Sequence, residues 1–324
     1  MDFSVIVCTY NRAGNLSACL GALAAQEGID RLAWEIVVVD NNSRDATRET
    51  VERLSHELPV TVRYAFEPAQ GLNHARNRGI TESKGKYFSF VDDDIIVSRR
   101  WLAGLRHVLE TNDADAAGSC IHLNEEIKLP KWIAPEMYGF LGYQDYGTKS
   151  FQMDGMKQYP FGGNMSFNRR VVARIGMFNP NLGRKGEGRK RGELFKGAET
   201  DYFHRLAAAG GRIFYTPDAV VYHQILPFQL TKGYFRTIHF NAGYQRALYG
   251  GDAYSRNLLG IPLFLYRKLA ENLWRYLVQL VSNGPDRAFR QQMTLAHFMG
   301  TMLGHSRRAR RGGNKQVTNG SAGR

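Results

Sequence analysis

Glu35-Ile36-Val37-Val38-Val39-Asp40 is an aliphatic run with no polar residue between its acidic ends. A strand with one solvated face alternates apolar and polar side chains, so a run without alternation belongs to a strand covered on both faces. Ser4-Val5-Ile6-Val7-Cys8-Thr9-Tyr10 has the same character and stops at the turn signal Asn11-Arg12-Ala13-Gly14-Asn15, after which Leu16, Leu20 and Leu23 recur at helical spacing. The unit repeats: Asn41 to Asp45 supplies a turn and cap behind the second run, and Val51, Leu54 and Leu58 line a helix. A third strand over Thr61–Ala65 precedes a helical segment from Gly71 to Gly79, and a fourth, Tyr87–Val91, runs into Asp92-Asp93-Asp94. Strand and helix in alternation predict an α/β fold built on a mostly parallel sheet flanked by helices. In such sheets the ligand crevice lies beyond the carboxyl ends of the strands, where Thr9, Asp40 and Asp92 to Asp94 stand.

With 324 residues, 43% hydrophobic and 12% aromatic, the chain has material for one large domain or two modest ones, and wholesale disorder is excluded. Cys8, Cys19 and Cys120 are too few and too scattered for a disulfide scaffold, and read as buried thiols of a reducing compartment. Met1 to Cys8 lacks the basic and long apolar regions of a secretory signal, which predicts a cytoplasmic protein. No run of about 18 uncharged apolar residues is present, so attachment to the inner face of the membrane, not a spanning helix, is the membrane option left.

The net charge of +13 is unevenly spread: residues 1–160 carry 17 basic and 22 acidic groups, net −5, whereas 161–324 carry 26 and 8, net +18. The basic half predicts an anionic partner, whether nucleic acid, anionic membrane or phosphorylated substrate. Past residue 120 the sequence becomes aromatic and glycine-rich, with strands expected at Gly211–Tyr215 and Ala219–His223 and a helix over Tyr202–Gly210. Helices dominate from 229. Tyr266, Leu269, Leu273, Leu277, Leu280 and Val281 form a stripe that fits a membrane surface or a core seam equally, with Arg267, Lys268 and Arg275 on the other side. This gives a catalytic domain over 1–228, divided into 1–119 and 120–228, a helical extension over 229–305 and a disordered basic tail over 306–324.

Three adjacent carboxylates at a strand end repel one another and need compensation; hard oxygen ligands there suit Mg²⁺ or Mn²⁺ holding a diphosphate. Four strand-end segments carry the pattern further: Val5 to Arg12, Val37 to Ser43, Gly71-Leu72-Asn73-His74-Ala75-Arg76-Asn77-Arg78-Gly79, and Phe90 to Asp94. In that order they resemble the nucleotide-binding half of the family-2 inverting glycosyltransferases with a GT-A fold. Phe161-Gly162-Gly163-Asn164-Met165-Ser166-Phe167, Gly197-Ala198-Glu199-Thr200-Asp201 and Tyr222-His223 extend the likeness over roughly residues 3 to 225.

The resemblance implies transfer of a sugar from a UDP- or dTDP-linked donor to a saccharide or lipid-linked acceptor, with a divalent metal, Mn²⁺ or Mg²⁺, in glycan synthesis. By position, Thr9, Tyr10, Asn11 and Asp40 match the nucleoside contacts and Arg76 a side chain over the base. Asp92 and Asp94 match the DxD pair, with Asp94 the direct metal ligand, Asp93 lies between them on the donor side, and His223 matches a histidine at the metal or diphosphate. Gly163 and Asn164 stand where backbone approaches donor sugar or diphosphate. Relatives carry Gly-Glu-Asp at the catalytic segment; here Ala198 fills the first acidic slot, so Glu199 is read as the base, with Asp201 second.

Other motifs fall short. Gly79 to Lys86 has five residues between its glycines where a P-loop has four, and the glycines at 183, 186 and 188 follow no strand. Arg184 to Arg191 reads as a charged loop able to close on the donor or an anionic acceptor, and Trp132 as a sugar-stacking or core residue. A nucleic-acid-binding protein using the basic half and a metal-dependent nucleotidyltransferase are the alternatives; neither accounts for the ordered motifs, and no nucleic-acid partner is expected.

Overall fold

The computed structural model describes residues 1–124, 126–187, 192–195, 197–250 and 254–318, the last eight as backbone only. They divide into two compact units: Met1–Lys128 with Pro135–Glu187 and Gly197–Leu226, and Leu129–Ala134 with Gly188–Lys196 and Pro227–Arg324. The second unit therefore includes two short segments from within the first 228 residues, which a division by sequence order does not anticipate.

In the first unit the order is β1 (Phe3–Thr9), α1 (Ala13–Ala24), β2 (Trp34–Asp40), α2 (Thr47–Glu57), β3 (Thr61–Phe66), α3 (Leu72–Glu82), β4 (Tyr87–Asp92), β5 (Ile95–Val97) and α4 (Trp101–Thr111). Then follow β6 (Ala116–Leu123), β7 (Phe151–Met153), β8 (Asn164–Asn168), α5 (Arg170–Ile175), α6 (Ala198–Ala208) and β9 (Ile213–His223). One sheet holds all nine strands in the order β3-β2-β1-β4-β8-β6-β9-β5, with β7 also on β9. The first four strands are parallel, β8 runs against both β4 and β6, and β6 and β9 are parallel.

The unbroken aliphatic runs fill two cores, one on each face. Val5, Val7, Ile36 and Val38 pack with Leu16 and Leu20 of α1, Val51 of α2 and Trp101 of α4. Ile6, Val37, Val39 and Phe90 pack with Ala75 of α3 and with Tyr202 and Phe203 of α6. Alternate residues of each strand thus serve opposite faces, and the aliphatic runs supply both.

Two local expectations change. Gly211–Tyr215 and Ala219–His223 form one strand, because Thr216-Pro217-Asp218 makes a bulge against β6 and not a turn: Ser119 pairs with Thr216 and Ile121 with Val221. Helix α6 begins at Ala198, four residues before the expected Tyr202, which puts Glu199 in its first turn.

The second unit contains α7 (Lys232–Tyr249), a short hairpin of β10 (Asn257–Leu258) and β11 (Ile261–Pro262), α8 (Leu263–Arg287, kinked at Gly284-Pro285) and α9 (Phe289–Thr318). Helices α7 and α9 meet through glycine: a Cβ on Gly243 would strike the His297 backbone, and one on Gly300 the Phe240 carbonyl. Trp132 sits edge-on to Phe235 and Phe289, with centroids 5.2 and 4.8 Å away, so it serves the core of this unit and not sugar stacking. Residues 306–318, expected to be disordered, continue α9. The polar composition misleads because Ala309 packs on Gly260 and Arg307 lies over the Tyr244 ring, 5.6 Å from its centroid. Residues 319–324 of the expected tail lie outside the described residues.

Glu35, at the start of β2, is buried yet charged. One oxygen accepts from Ser4 Oγ (2.7 Å) and the Lys84 amide (3.0 Å), and the other from Arg63 Nε (2.8 Å). Burial works against the charge, but the bonds from Arg63, Ser4 and Lys84 outweigh it and hold the carboxyl below its ordinary value. Its contribution to stability is therefore present at neutral pH and lost as pH falls through that lowered value. Glu35→Gln should cost about 1.5–3 kcal/mol in urea unfolding at neutral pH, with a smaller difference from wild type in acid. Equal neutral-pH stability would contradict this account of the β1–β2 edge.

Candidate active site

The loops after β1 and β2 are tied together. Asn11 adopts a left-handed conformation (φ 52°), donates its amide to Ser43 Oγ (2.9 Å) and accepts the Arg44 amide on Oδ1 (2.8 Å). Asp40 accepts the Ser43 amide (2.9 Å) and the Tyr64 hydroxyl (2.8 Å), so its carboxylate organises the turn that ends β2. Tyr10 lies half-buried at the same edge.

The acidic triplet follows β4, with Asp93 and Asp94 buried. Thr9 Oγ1 donates to Asp93 Oδ2 at 2.7 Å, and Arg12 Nη1 reaches both Asp93 Oδ1 (2.9 Å) and Asp94 Oδ2 (2.7 Å). Burial, with Asp94 and Asp92 nearby, pushes the Asp93 carboxyl up to about 7 against the pull of Arg12 and Thr9. Asp92 is also raised, by burial and then by Asp94. Asp94 goes the other way: burial opposes its charge, but His223, Arg12 and Arg184 outweigh burial and hold it below the ordinary carboxylate range.

His223, at the end of β9, donates from Nδ1 to the Leu141 carbonyl (2.6 Å), a bond only a protonated nitrogen can make. Its Nε2 then lies 3.4 Å from Asp94 Oδ1, a buried oxygen that makes no other hydrogen bond. An ionised, under-satisfied carboxylate oxygen beside an imidazole nitrogen whose other ring position is fixed by a carbonyl is a donor pair suited to a divalent cation. Asp92 does not complete a tight trio with them; its Oδ2 would lie 3.1 Å from a Cβ on Gly163, so that residue leaves room beside the carboxylate. Among the described residues, the compact trio of Cys, His and carboxylate is Cys120, His122 and Asp145, with Cys120 bonded to Tyr215 and Asp145 to Tyr143.

A second feature is the pair of Arg76 and Glu199. Arg76 is 1% exposed, with its guanidinium near the Phe90 and Phe178 rings (5.8 and 5.4 Å to the centroids), and donates from Nη2 to Glu199 Oε1 at 2.9 Å. Its motif implied a side chain over the base; the structure gives this guanidinium an ion pair with Glu199. Burial would discharge Glu199, but Arg76, the backbone bond in the first turn of α6, and Arg184 keep its carboxyl below the ordinary value. A Cβ on Gly162 would overlap both Glu199 Oε1 and Arg76 Nη2, so only glycine leaves space for the pair.

The structure separates other expected site residues from this group. Asp201 accepts from Arg205 Nε (3.0 Å) one helical turn on, and Arg205 also donates to the Ile175 and Met177 carbonyls. Asn164 is fully buried: its Oδ1 accepts from Trp101 Nε1 (2.9 Å) and its amide donates to Ser119 Oγ (2.7 Å). These bonds fix the residue that follows the Gly162-Gly163 turn, whose backbone is the part expected to approach the donor.

Arg12 was not among the expected site residues, although a signal was present. A cation at the start of α1, with no acid in the first turn, opposes the helix dipole and needs a carboxylate partner from elsewhere in the fold. Arg184 sits where its charge acts on Asp92, Asp94 and Glu199, while its carbonyl accepts the Leu72 amide at the start of α3 (2.9 Å). Residues 188–191 of that charged segment lie outside the described residues.

A parallel β3-β2-β1-β4 core joined to antiparallel β8, with acids at the β4 end and a histidine closing β9, is the GT-A glycosyltransferase arrangement. The family model for glycosyl transferase family 2 matches residues 4–176, and the chain belongs to that family. It is similar to the succinoglycan biosynthesis protein ExoM of Rhizobium meliloti, 26% identical over 244 residues, 75% of this chain and 73% of that protein. It is also similar to a glucosyl-dolichyl phosphate glucuronosyltransferase of Haloferax volcanii, 25% identical over 252 residues and 76% of each chain. A mannosyltransferase from Pyrobaculum calidifontis, solved with GDP-Man and Mn²⁺, shares the fold with a TM-score of 0.58 at 19% identity, over 94% of this chain and 86% of that one. S. aureus TarS residues 1–349, solved with UDP, gives 0.52 at 17% identity, over 96% and 92%.

Gly162→Ala should leave the thermal midpoint close to wild type, because the atoms displaced are side-chain termini. It should lower transferase activity about a hundredfold by moving Glu199. Activity within a few-fold of wild type would contradict the role of this glycine.

Proposed function

We propose that the chain transfers a sugar, with inversion, from a nucleoside-diphosphate-sugar to a hydroxyl of a saccharide or lipid-linked saccharide acceptor during glycan synthesis. The observation that carries this reading is the separation of two kinds of carboxylate. Asp94 is ionised beside His223 with an oxygen unspent, and Glu199 is ionised beside Arg76 at the start of a helix. The first suits a metal-diphosphate site and the second a proton acceptor, which are the two roles such a transfer needs.

Asp94 and His223 would hold the divalent cation, Mn²⁺ or Mg²⁺, which supplies charge stabilisation to the departing diphosphate. Arg12 limits repulsion within the triplet, and Arg184 brings positive charge to the same end of the sheet. Tyr10, Asn11 and Asp40 at the ends of β1 and β2 are the proposed nucleoside side of the site, with UDP or dTDP as the donor nucleotide.

Glu199 accepts the acceptor hydroxyl's proton as that oxygen bonds to the anomeric carbon, and the bond from that carbon to the diphosphate oxygen breaks on the opposite face, its electron pair leaving with the diphosphate. Oε1 is occupied by Arg76, so Oε2 is the oxygen available to the proton. The names of the similar proteins support this reading: succinoglycan biosynthesis for one, GDP-Man with Mn²⁺ and UDP for others.

Glu199→Gln should bind donor as wild type does and lose transfer by about three orders of magnitude, whereas Asp201→Asn should retain most activity because its carboxylate is spent on Arg205. Single-turnover rates with radiolabelled donor would measure both. Loss in Asp201→Asn with activity kept in Glu199→Gln would reverse the assignment.

A further inference from the structure

Helix α8 has a buried side and, opposite it, an exposed apolar face. Leu265 and Asn272, seven residues apart, are buried. On the other side, Leu263, Ala270, Trp274, Leu277 and Val281 recur at spacings of seven, four, three and four, which keeps them on one face of a 3.6-residue helix. That face is open: Trp274 is 69% exposed and Val281 88%, with Leu263, Leu277 and Val278 all exposed. The stripe read from periodicity lies to one side of this face: Tyr266, Leu269 and Leu280 are half-buried, whereas Leu273, Leu277 and Val281 are exposed. Leu258 and Leu259 of the hairpin just before α8 are exposed as well. An exposed tryptophan among aliphatic residues along some 30 Å of helix is costly in water unless something covers it.

The charge around this face indicates what that is. From Pro227 to Arg324 the chain carries 15 Lys and Arg against 3 Asp and Glu. Two of those acids are already paired, Asp286 with Lys232 (2.6 Å) and Glu271 with Arg267 and Lys268 (both 3.3 Å). On α8, Arg267 lies beside the apolar face, and Lys268 and Arg275 are exposed on the flank between that face and the buried side. Joining two copies of this chain through that face would set like charges against each other. Phosphate groups of a nucleic acid would satisfy the cations but not the apolar side chains. An anionic bilayer satisfies both, with tryptophan at the headgroup level and arginines among the phosphates. No described helix is long and apolar enough to cross a membrane, so α8 would lie in the interface plane.

We infer that α8 is an interfacial helix that docks the protein on an anionic lipid surface through Trp274, Leu277, Val278 and Val281. This inference does not rest on the transfer reading, since lipid binding is measured without turnover. The test is flotation of the full-length protein with phosphatidylcholine vesicles, with and without phosphatidylglycerol, at low and high salt. Alongside it runs the doubly substituted Trp274→Glu, Val281→Glu variant, in which both positions are exposed and the fold should be unaffected. Wild type should float with the anionic vesicles and at least about tenfold less with neutral ones. The variant should lose binding to both while keeping its circular dichroism spectrum and its UDP affinity. Absence of wild-type binding, equal binding to neutral vesicles, or retention by the variant would overturn the inference. So would a dimer in sedimentation equilibrium that the double substitution breaks, because the face would then belong to a second copy.

Discussion

Four carboxylates, Asp92, Asp93, Asp94 and Glu199, meet at the carboxyl ends of buried strands, where each unpaired charge would cost several kcal/mol of desolvation. They coexist because Arg12, Arg76, Arg184 and His223 are brought among them from four separate stretches of chain. Each cation is itself held by architecture. Arg12 is fixed at the start of α1, Arg76 lies on α3 near two phenylalanine rings, Arg184 is tied by its backbone to the start of α3, and His223 is oriented by the Leu141 carbonyl. The pairings that bring these ends together, β1 with β4 and β9 with the β5 strand directly after Asp94, are therefore also the condition for charge balance.

The balance is not uniform, and the differences assign roles. Asp93 receives both Thr9 and Arg12 and is the most fully bonded of the triplet, which suits it to hold the loop together. Asp94 keeps one oxygen unspent beside His223. Glu199 is held ionised by a guanidinium that is itself almost entirely shielded from water, and Gly162 preserves the room the pair needs, which is the state the proposed proton acceptor requires.

Much of this was legible in the chain. The two-faced strands follow from runs such as Ile36-Val37-Val38-Val39, because burial on both sides leaves no other composition possible. The ordered motifs placed Thr9, Asp94, Glu199 and His223 at strand or helix ends, where the structure has them. What the sequence did not show was partnership. Arg12 closes the first strand-end segment with no assigned partner until β4 is known to end beside it, and neither the pairing of Arg76 with Glu199 at 2.9 Å nor the bonds of Asn164 to Trp101 and Ser119 can be read from spacing. The exposed face of α8 is a similar case, since periodicity identifies an apolar stripe but not what lies against it.

The central claim is that Asp94 and His223 form a metal-diphosphate site distinct from the base. Calorimetric titration of UDP into wild type and Asp94→Asn, each with and without Mn²⁺, tests it most directly. The account predicts binding that Mn²⁺ strengthens at least about tenfold in wild type and leaves unchanged in the variant. Equal strengthening by Mn²⁺ in both proteins would contradict it.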